Sequence, residues 1–519
     1  MTDTSDADDH SGRFTEGSIV RPLLVLAGPL TATQLLQVAY NLTDTFWVGR
    51  LGADPVTALS FVWPLIFLLI SVGGGMTNAG TILVAQNVGA GNDDRLDHVA
   101  GQTIAFVGLL SIGVATLGLV FAPQLLSAIG TIPGTAVHEL AVTYTRIIVL
   151  GMPFTFGFFV FMALLRGWGD TKTPMYLMAV SVGCNIALDP FFVLGFTGNP
   201  LFEWVGLEGL QESLFALTGF SGFGVVGAAV ATVLSRAAAA VVGLWLLFGG
   251  RVGLHLTLDD LRPRLETVAK LVEIGTPGAI DQSTESVAAI VMTALIATVG
   301  SDAVAAYGIG NRFVSVVWLP TVAMGLAVET IVGQNLGGGR RDRARRTVYV
   351  AVAILAAAFL VAGALTVWYA RPIVGLFITG PEADPIVDHG ASFLRIVAPT
   401  WVVMAAYHMM NGAFYGSGST RMAMGIGVTT LWGVRAVAAL VLVLAFGFGA
   451  AGAWYAISLS NVTAAVTGGV FFARGRWLET VLEVEESAEE SGRGRGAEPD
   501  ADADTDMETD TEPKPGPSH

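Results

Sequence analysis

Stretches such as Pro55 to Asn92, Val99 to Val137, Ile147 to Leu165, Thr347 to Ala370 and Ala436 to Ala473 contain no Asp, Glu, Lys or Arg at all. A helix needs about 20 apolar residues to cross the hydrocarbon core of a bilayer, so several of these tracts hold one span and part of a loop. Over all 519 residues, 53% are hydrophobic and 13% charged, against roughly 25% charged in soluble domains. A globular core cannot enclose that much apolar side chain, so lipid is the solvent for much of the surface. Apolar runs between breakers predict twelve helices, near residues 18–48, 55–88, 98–122, 139–166, 172–195, 224–249, 267–299, 303–336, 346–370, 390–413, 421–446 and 450–473. The expected fold is an all-α integral membrane protein with twelve transmembrane helices.

Basic residues orient such a chain, because loops rich in Lys and Arg stay in the cytoplasm. With both ends placed there, the inner loops collect Arg95, Arg166, Lys172, Arg251, Arg262, Arg264, Arg340, Arg341, Arg343, Arg345, Arg346, Arg421, Arg474 and Arg476, and the outer loops keep little beyond Arg50 and Arg371. A multi-pass protein of the cell membrane with cytoplasmic termini is expected. The net charge of -15 sits mainly in the termini and extramembrane loops, with Glu483 to Glu512 acidic and poor in apolar residues. Such a segment cannot bury enough surface to order itself. Residues 476–519 therefore read as a disordered tail and 1–17 as a disordered, acidic N-terminus with no basic region of a removable signal peptide.

An internal repeat organises the rest. At a shift of 248, Pro29 meets Pro277, Gly52 meets Gly300, Asp54 meets Asp302 and Ala58 meets Ala306. Without a gap, Gln86-Asn87-x-Gly89-x-Gly91 then meets Gln334-Asn335-x-Gly337-x-Gly339. A shift of 249 pairs Arg146-Ile147 with Arg395-Ile396, and Gly167-x-Gly169-x-Thr171 with Gly416-x-Gly418-x-Thr420. Two six-helix lobes, residues 18–250 and 267–475 joined by a cytoplasmic linker at 251–266, would be related by an axis along the membrane normal, with a cavity between them.

Gly222-x-Gly224-x-x-Gly227 and Gly447-x-Gly449-x-x-Gly452 match a dinucleotide fingerprint, but they are partners at a shift of 225 and lie in no strand-turn-helix unit. They read as tight turns and close helix packing. The smaller shift places about two dozen extra residues between Gly195 and Gly222, with a short amphipathic helix at Leu207 to Leu217. No Walker A sequence occurs, and no nucleophile stands beside a matching base, so neither ATP hydrolysis nor another enzymatic activity is expected.

Ionised side chains are costly inside a membrane and are functional candidates there. Asp44 shares one helical face with Gln37, Tyr40 and Asn41, at spacings of three, four and seven. Asp189 follows Asn185 by one turn and precedes Pro190, which frees a backbone carbonyl. The repeat partners of the two acids are Met292 and Ala438, so packing symmetry does not account for them. If the two helices converge, Asp44, Asp189 and Asn185 form an oxygen-only site for Na⁺ or protons, without the His or Cys ligands of a transition metal. The bland alternative is that these acids bolt helices together. Asp281 and Glu285, one turn apart in the second half, are candidates for attracting a cationic substrate, or for contact with water and Arg loops. Glu329 reads as structural, bonded to Arg312 or a helix end, and His408 and Arg435 as satisfied packing residues. Met178 is a candidate for a pliant cavity wall.

These residues resemble the multidrug and toxic compound extrusion family, in particular its DinF-like archaeal and bacterial branch, over residues 18–475. The carriers are Gly28-Pro29, Tyr40-Asn41-Leu42-Thr43-Asp44, Leu51-Gly52-Ala53, Gln86-Asn87-x-Gly89-x-Gly91, Arg166-Gly167-x-Gly169-Asp170-Thr171, Asn185-x-x-x-Asp189-Pro190 and Gly227-Ala228-Ala229-x-Ala231-Thr232. The resemblance implies two lobes around a V-shaped cavity and the exchange of Na⁺ or H⁺ for organic cations. It implies that Asp44, Asn185, Asp189 and Thr232 form the cation site, holding Na⁺ if transport is sodium-coupled, with Tyr40 and Gln37 lining it. It also implies that Pro29 is the bend point of the first helix. No other cofactor and no nucleic-acid partner is expected, and the chain is expected to act as a monomer. The rival reading is a flippase for lipid-linked saccharides, whose cavities are basic because the cargo is anionic; the acids argue against it. A channel or receptor is a third reading, disfavoured by the repeat.

Overall fold

The computed structural model describes residues 14–378 and 383–479, without the side chains of 93 and 94. Among these residues every regular element is helical. Twelve membrane-crossing helices follow in order: α1 (Val20–Gly49), α2 (Ala53–Ala90), α3 (Asp93–Ile129), α4 (Ala136–Leu150 with Met152–Trp168), α5 (Lys172–Leu194), α6 (Val225–Phe248), α7 (Leu265–Ala297), α8 (Ser301–Gly337), α9 (Arg341–Trp368), α10 (Ala383–Gly416), α11 (Thr420–Ala445) and α12 (Gly449–Arg474). Eleven are apolar enough on average to cross a bilayer, counting bent α4 once. The twelfth, α7, carries Glu266, Lys270, Glu273, Asp281 and Glu285 and packs along α2. At 1.5 Å per residue its 33 residues are about 50 Å long, ample for a span.

Local chemistry explains the breaks. α4 bends by 50° at Gly151, where Pro153 opens the second half and supplies no amide hydrogen to the first. α10 passes through a 3₁₀ turn at Ala398–Thr400, around Pro399. α11 contains two π-helical stretches, Thr429–Ala436 and Val441–Ala445. α1, in contrast, runs unbroken through Pro29. Both fingerprint-like glycine motifs are turns followed by close packing. Gly222, Gly224, Gly447 and Gly449 have positive φ, and a Cβ on Gly227 would overlap the Phe192 backbone. The long outer connection folds into Pro200–Trp204 and Glu208–Thr218.

The end of the protein on which residues 14–17 pack includes the start of α1 and the α2–α3, α4–α5, α8–α9 and α10–α11 turns, and is here the terminal face. There the lobes interlock. Gln86 Nε2 donates to the Gly416 carbonyl at 3.1 Å, and its repeat partner Gln334 donates to the Gly167 carbonyl at 2.9 Å. A Cβ on Gly89 would overlap the Gln334 carbonyl, and one on Gly337 would overlap that of Gln86. Farther from this face, Ser71 on α2 meets Ser283 on α7 at 2.6 Å. Among the described residues no hydrogen bond joins the lobes beyond that level, so the polar contacts between them gather toward the terminal face.

Three expectations change. Phe14 and Thr15, placed in a disordered N-terminus, are packed: Phe14 is 6% exposed, and its carbonyl accepts from Asn335 Nδ2 at 3.1 Å. Trp477, placed in the disordered tail, is fully buried and stacks on Phe472. The remaining residues of both predicted tails, 1–13 and 480–519, lie outside the described residues. Lastly, Leu23, Leu26 and Ala27 of α1 share a core with the second lobe, so the first helix belongs to both halves.

Candidate functional site

The first lobe brings Asp44 and Asp189 together. Asp44 lies on α1, Asn185 and Asp189 on α5 and Thr232 on α6, and Asp44, Asn185 and Asp189 have no exposed surface. The two carboxyl groups are near neighbours, each lying in the field of the other. Asn185 Nδ2 donates to Asp189 Oδ1 at 3.1 Å. The Tyr40 hydroxyl donates to Thr232 Oγ1 at 2.6 Å, which donates onward to Asp44 Oδ2 at 3.4 Å. After these bonds are made, Asp44 Oδ1, Asp189 Oδ2 and Asn185 Oδ1 remain buried with no donor. The hydroxyl of Tyr144, buried on α4, is also unpaired. A buried unsatisfied polar atom costs about 1–3 kcal/mol, more when charged, and two adjacent carboxylates repel as well. One small cation, a metal ion or a shared proton, would satisfy several of these atoms together. Each of Asp44, Asp189 and Thr232 lies within about two turns of the end of its helix away from the terminal face, not at mid-span.

A residue the sequence reading passed over completes this cluster. Arg236 on α6 is 5% exposed. Its Nη2 donates to Gln37 Oε1 at 2.7 Å and its Nη1 to the Met178 sulfur at 3.3 Å. The guanidinium lies over the rings of Tyr40 and Phe158. Gln37 in turn donates to Asn41 at 3.1 Å. Gln37, Asn41 and Met178 thus surround an arginine, which in turn lies in the field of Asp44 without forming a direct ion pair. The available signal was spacing: Thr232 and Arg236 are one helical turn apart.

Asp281 and Glu285 do not join that group. They line a separate cavity of about 470 Å³ in the second lobe, with Tyr407, His408, Asn411 and Arg435 among its walls. The Tyr415 hydroxyl donates to Asp281 Oδ2 at 3.0 Å, and Gly427 lets Asp281 approach the α11 backbone. Glu285 keeps an exposed side chain although it sits deep in the protein, because it faces the cavity. His408 stands edge-on to Trp318 at 4.3 Å between ring centres. Arg435 and His408 therefore face the cavity and are not merely packing residues. With Arg236 and Arg435 present, the lobes are not purely acidic, which removes one argument against anionic cargo.

Glu329 is structural in a different way from the expected bond to Arg312. It lies 3.6 Å from Arg166 Nη2, across the lobe boundary. Arg166 also donates to Asn78 Oδ1 at 2.5 Å and Thr81 Oγ1 at 3.0 Å. Among the described residues, no three His, Cys, Asp or Glu side chains gather as a metal cluster.

Comparison with known proteins bears on what this arrangement serves. The MatE family profile matches residues 29–191 and 277–452, one block per lobe. The chain is 30% identical over 452 residues to a probable multidrug resistance protein, YoeA, of Bacillus subtilis, covering 85% of this chain and 90% of that one. Its fold matches a MOP superfamily transporter from Pyrococcus furiosus at a TM-score of 0.79 with 24% identity, over 90% of this chain and 98% of the other. It also matches an outward-facing multidrug resistance MATE transporter at a TM-score of 0.79 with 23% identity, over 93% and 100% of the two chains.

Proposed function

The chain belongs to the MatE family of multidrug and toxic compound extrusion transporters, and on that premise we propose that it exports organic cations in exchange for Na⁺ or H⁺ bound between Asp44 and Asp189. The observation that carries this reading is the set of three buried oxygens without donors, Asp44 Oδ1, Asp189 Oδ2 and Asn185 Oδ1. Such a set is stable only when a cation or a proton is supplied, so its energy depends on an ion that can come and go. Asn185, Thr232 and Tyr40 hold the acids in place, and for Na⁺ the ligand set would be Asp44, Asn185, Asp189 and Thr232. Pro29 would act as a bend point in α1, since it leaves one backbone carbonyl without its helical partner. Gln37, Asn41 and Met178 would line the cargo path in the first lobe, Asp281 and Glu285 in the second.

With both termini in the cytoplasm, as the Lys and Arg bias favours, the clasped terminal face would be cytoplasmic and the cavity between the lobes would open outward. Alternating access would then require the Gln86 and Gln334 bonds to part. Transport by a monomer in the cell membrane is the simplest form of this reading.

The test uses proteoliposomes with ethidium as cargo and Na⁺ and pH gradients imposed one at a time. One gradient should drive transport in the wild type. Asp44→Asn and Asp189→Asn should abolish the gradient's effect while leaving gradient-free counterflow. Full ion-driven transport by both variants would remove the proposal. Lipid scrambling without dye transport would favour the flippase reading, to which Arg435, on its cavity wall, lends support.

A further inference from the structure

The second-lobe cavity is bipolar. Across it from Glu285 stands Arg435, each within the electrostatic reach of the other, yet among the described residues no carboxylate forms an ion pair with this guanidinium. Arg435 Nε donates to Ser460 Oγ at 2.7 Å and Nη2 to Asn461 Oδ1 at 3.1 Å. Both partners are neutral. Nη1 makes no hydrogen bond, and it is not among the buried atoms lacking one, so it opens into the 470 Å³ space. An arginine held at two corners by neutral side chains, with its third corner on a cavity, is oriented but not neutralised. Guanidinium groups in this state favour carboxylates and phosphates.

Two further features point to a ligand. Asn411 Oδ1, on the same cavity wall, is buried without a donor, so it lacks an N–H group such as an amine would bring. Arg435 itself sits in the first π-helical stretch of α11, a widening of the backbone that recurs at functional sites. Arg236 differs: its two terminal nitrogens are taken by Gln37 and Met178 and its faces by two rings, so its guanidinium has no free corner to offer an anion.

We infer that the second-lobe cavity binds amphiphiles carrying both an amine and an anionic group, with Arg435 reading the anion and Asp281 and Glu285 the amine. The inference deepens the proposed export function and rests on it, because it concerns the cargo of that cycle. Trp318 and Tyr407 add flat aromatic surface to the same wall. The bipolar arrangement adds a fixed direction for the cargo, its acid toward Arg435 and its amine toward Asp281 and Glu285.

Two dyes with one fluorophore separate the charges. Rhodamine 110 carries a free carboxylate beside its cationic ring system; rhodamine 123 is its methyl ester and only a cation. Binding to the purified full-length transporter is read by fluorescence polarisation. The wild type should bind rhodamine 110 at least as tightly as rhodamine 123. Arg435→Met should weaken rhodamine 110 by 10-fold or more and leave rhodamine 123 unchanged or tighter, because the cavity becomes more acidic. Arg435→Lys should recover part of the loss.

Equal weakening of both dyes, or no change in either, would overturn the assignment, as would a wild type that binds the ester 10-fold more tightly than the acid. The wild-type comparison decides the matter even if Arg435→Met does not fold. Gradient-driven efflux of rhodamine 123 tests the export reading separately: its absence, with the dye preference intact, would count against export and not against the subsite.

Discussion

Gln86 and Gln334 occupy the same place in the two halves, and each gives its side-chain amide to a glycine carbonyl of the other half: Gln86 to Gly416 at 3.1 Å, Gln334 to Gly167 at 2.9 Å. The acceptors are themselves repeat partners. The pseudo-twofold axis therefore passes through a reciprocal clasp, made possible because Gly89 and Gly337 let the α2 and α8 backbones come close enough to exclude any Cβ. Both glutamines are 1% exposed or less, so a bond that parts here must be replaced by water or another partner.

Removing the clasp should shift the population toward an opened terminal face. A net hydrogen bond is worth about 0.5–1.5 kcal/mol, so Gln86→Ala with Gln334→Ala costs the closed state about 1–3 kcal/mol, roughly 5- to 150-fold in population. Spin labels on Asn92→Cys and Arg346→Cys, in a Cys184→Ser background, report the distance across this face. The longer-distance fraction should grow in the double variant. An unchanged distance distribution would show that the clasp does not hold the lobes.

Steric widening should act more strongly than loss of a bond. Gly89→Val forces a branched side chain into the Gln334 carbonyl, and neither backbone can retreat without separating α2 from α8. The variant should retain folded lobes, seen as a cooperative thermal melt, while the labelled pair reports a terminal face open throughout and gradient-driven transport is lost. Wild-type transport by Gly89→Val would mean that this contact loosens freely during the cycle.

Coupling and cargo passage should separate at Asp44. Asparagine keeps the shape and removes the charge, so in Asp44→Asn the neighbouring Asp189 no longer faces a second carboxylate. Coupling-ion titrations by thermal melt should show the wild type stabilised as the ion saturates, by mass action, and Asp44→Asn largely insensitive. A rise in melting temperature equal to that of the wild type would place the ion elsewhere.

Much of this was readable beforehand because lipid makes charge scarce. Asp44 and Asp189 were conspicuous as acids in apolar helices whose repeat partners are Met292 and Ala438, and the structure puts them side by side. The fold was legible for the same reason, and the repeat carried the two-lobe organisation with it. Arginines were harder. Arg435 looks the same in sequence whether it packs or faces a cavity, since that depends on where α7 and α12 lie around α11. Glu329 finds Arg166 only where the two lobes meet, across a separation that no helical periodicity reports. The order of Phe14 depends on Asn335, Arg340 and Arg343, and a short acidic segment gives no hint of such partners.

That N-terminal segment should itself tighten the closed face. Asn335 and Arg343 both donate to the Phe14 carbonyl, and Arg340 donates to that of Thr15. The Phe14 ring lies against Gly169 at the end of α4, so the segment touches both lobes. Phe14→Ala should loosen the terminal face by about 0.5–3 kcal/mol, read by the same labelled pair as a partial shift in the direction of the glutamine double variant. A closed population matching the wild type would leave Phe14 as packing for one lobe alone.

Arg236 would set the charge that a coupling ion must balance. With Asp44 and Asp189 ionised, the buried group of three carries a net charge of about one negative unit, which a single monovalent cation or proton cancels. Burial makes any remaining charge costly, so one ion per cycle is the stoichiometry this composition favours. Arg236→Met keeps the bulk and removes the positive charge, leaving two negative units. A unit charge a little beyond ion-pairing range is worth about 2–3 kcal/mol at an effective dielectric constant near 20. The half-saturating concentration of the coupling ion should therefore fall roughly 30- to 150-fold, and turnover should slow because the ion leaves less readily. Gln37→Leu separates charge from geometry: it removes the bond that Arg236 makes to α1 but keeps the guanidinium, so its ion dependence should stay close to wild type. If instead Arg236→Met binds the ion no more tightly than Gln37→Leu does, the arginine is a strut between α6 and α1 and takes no part in balancing the acids.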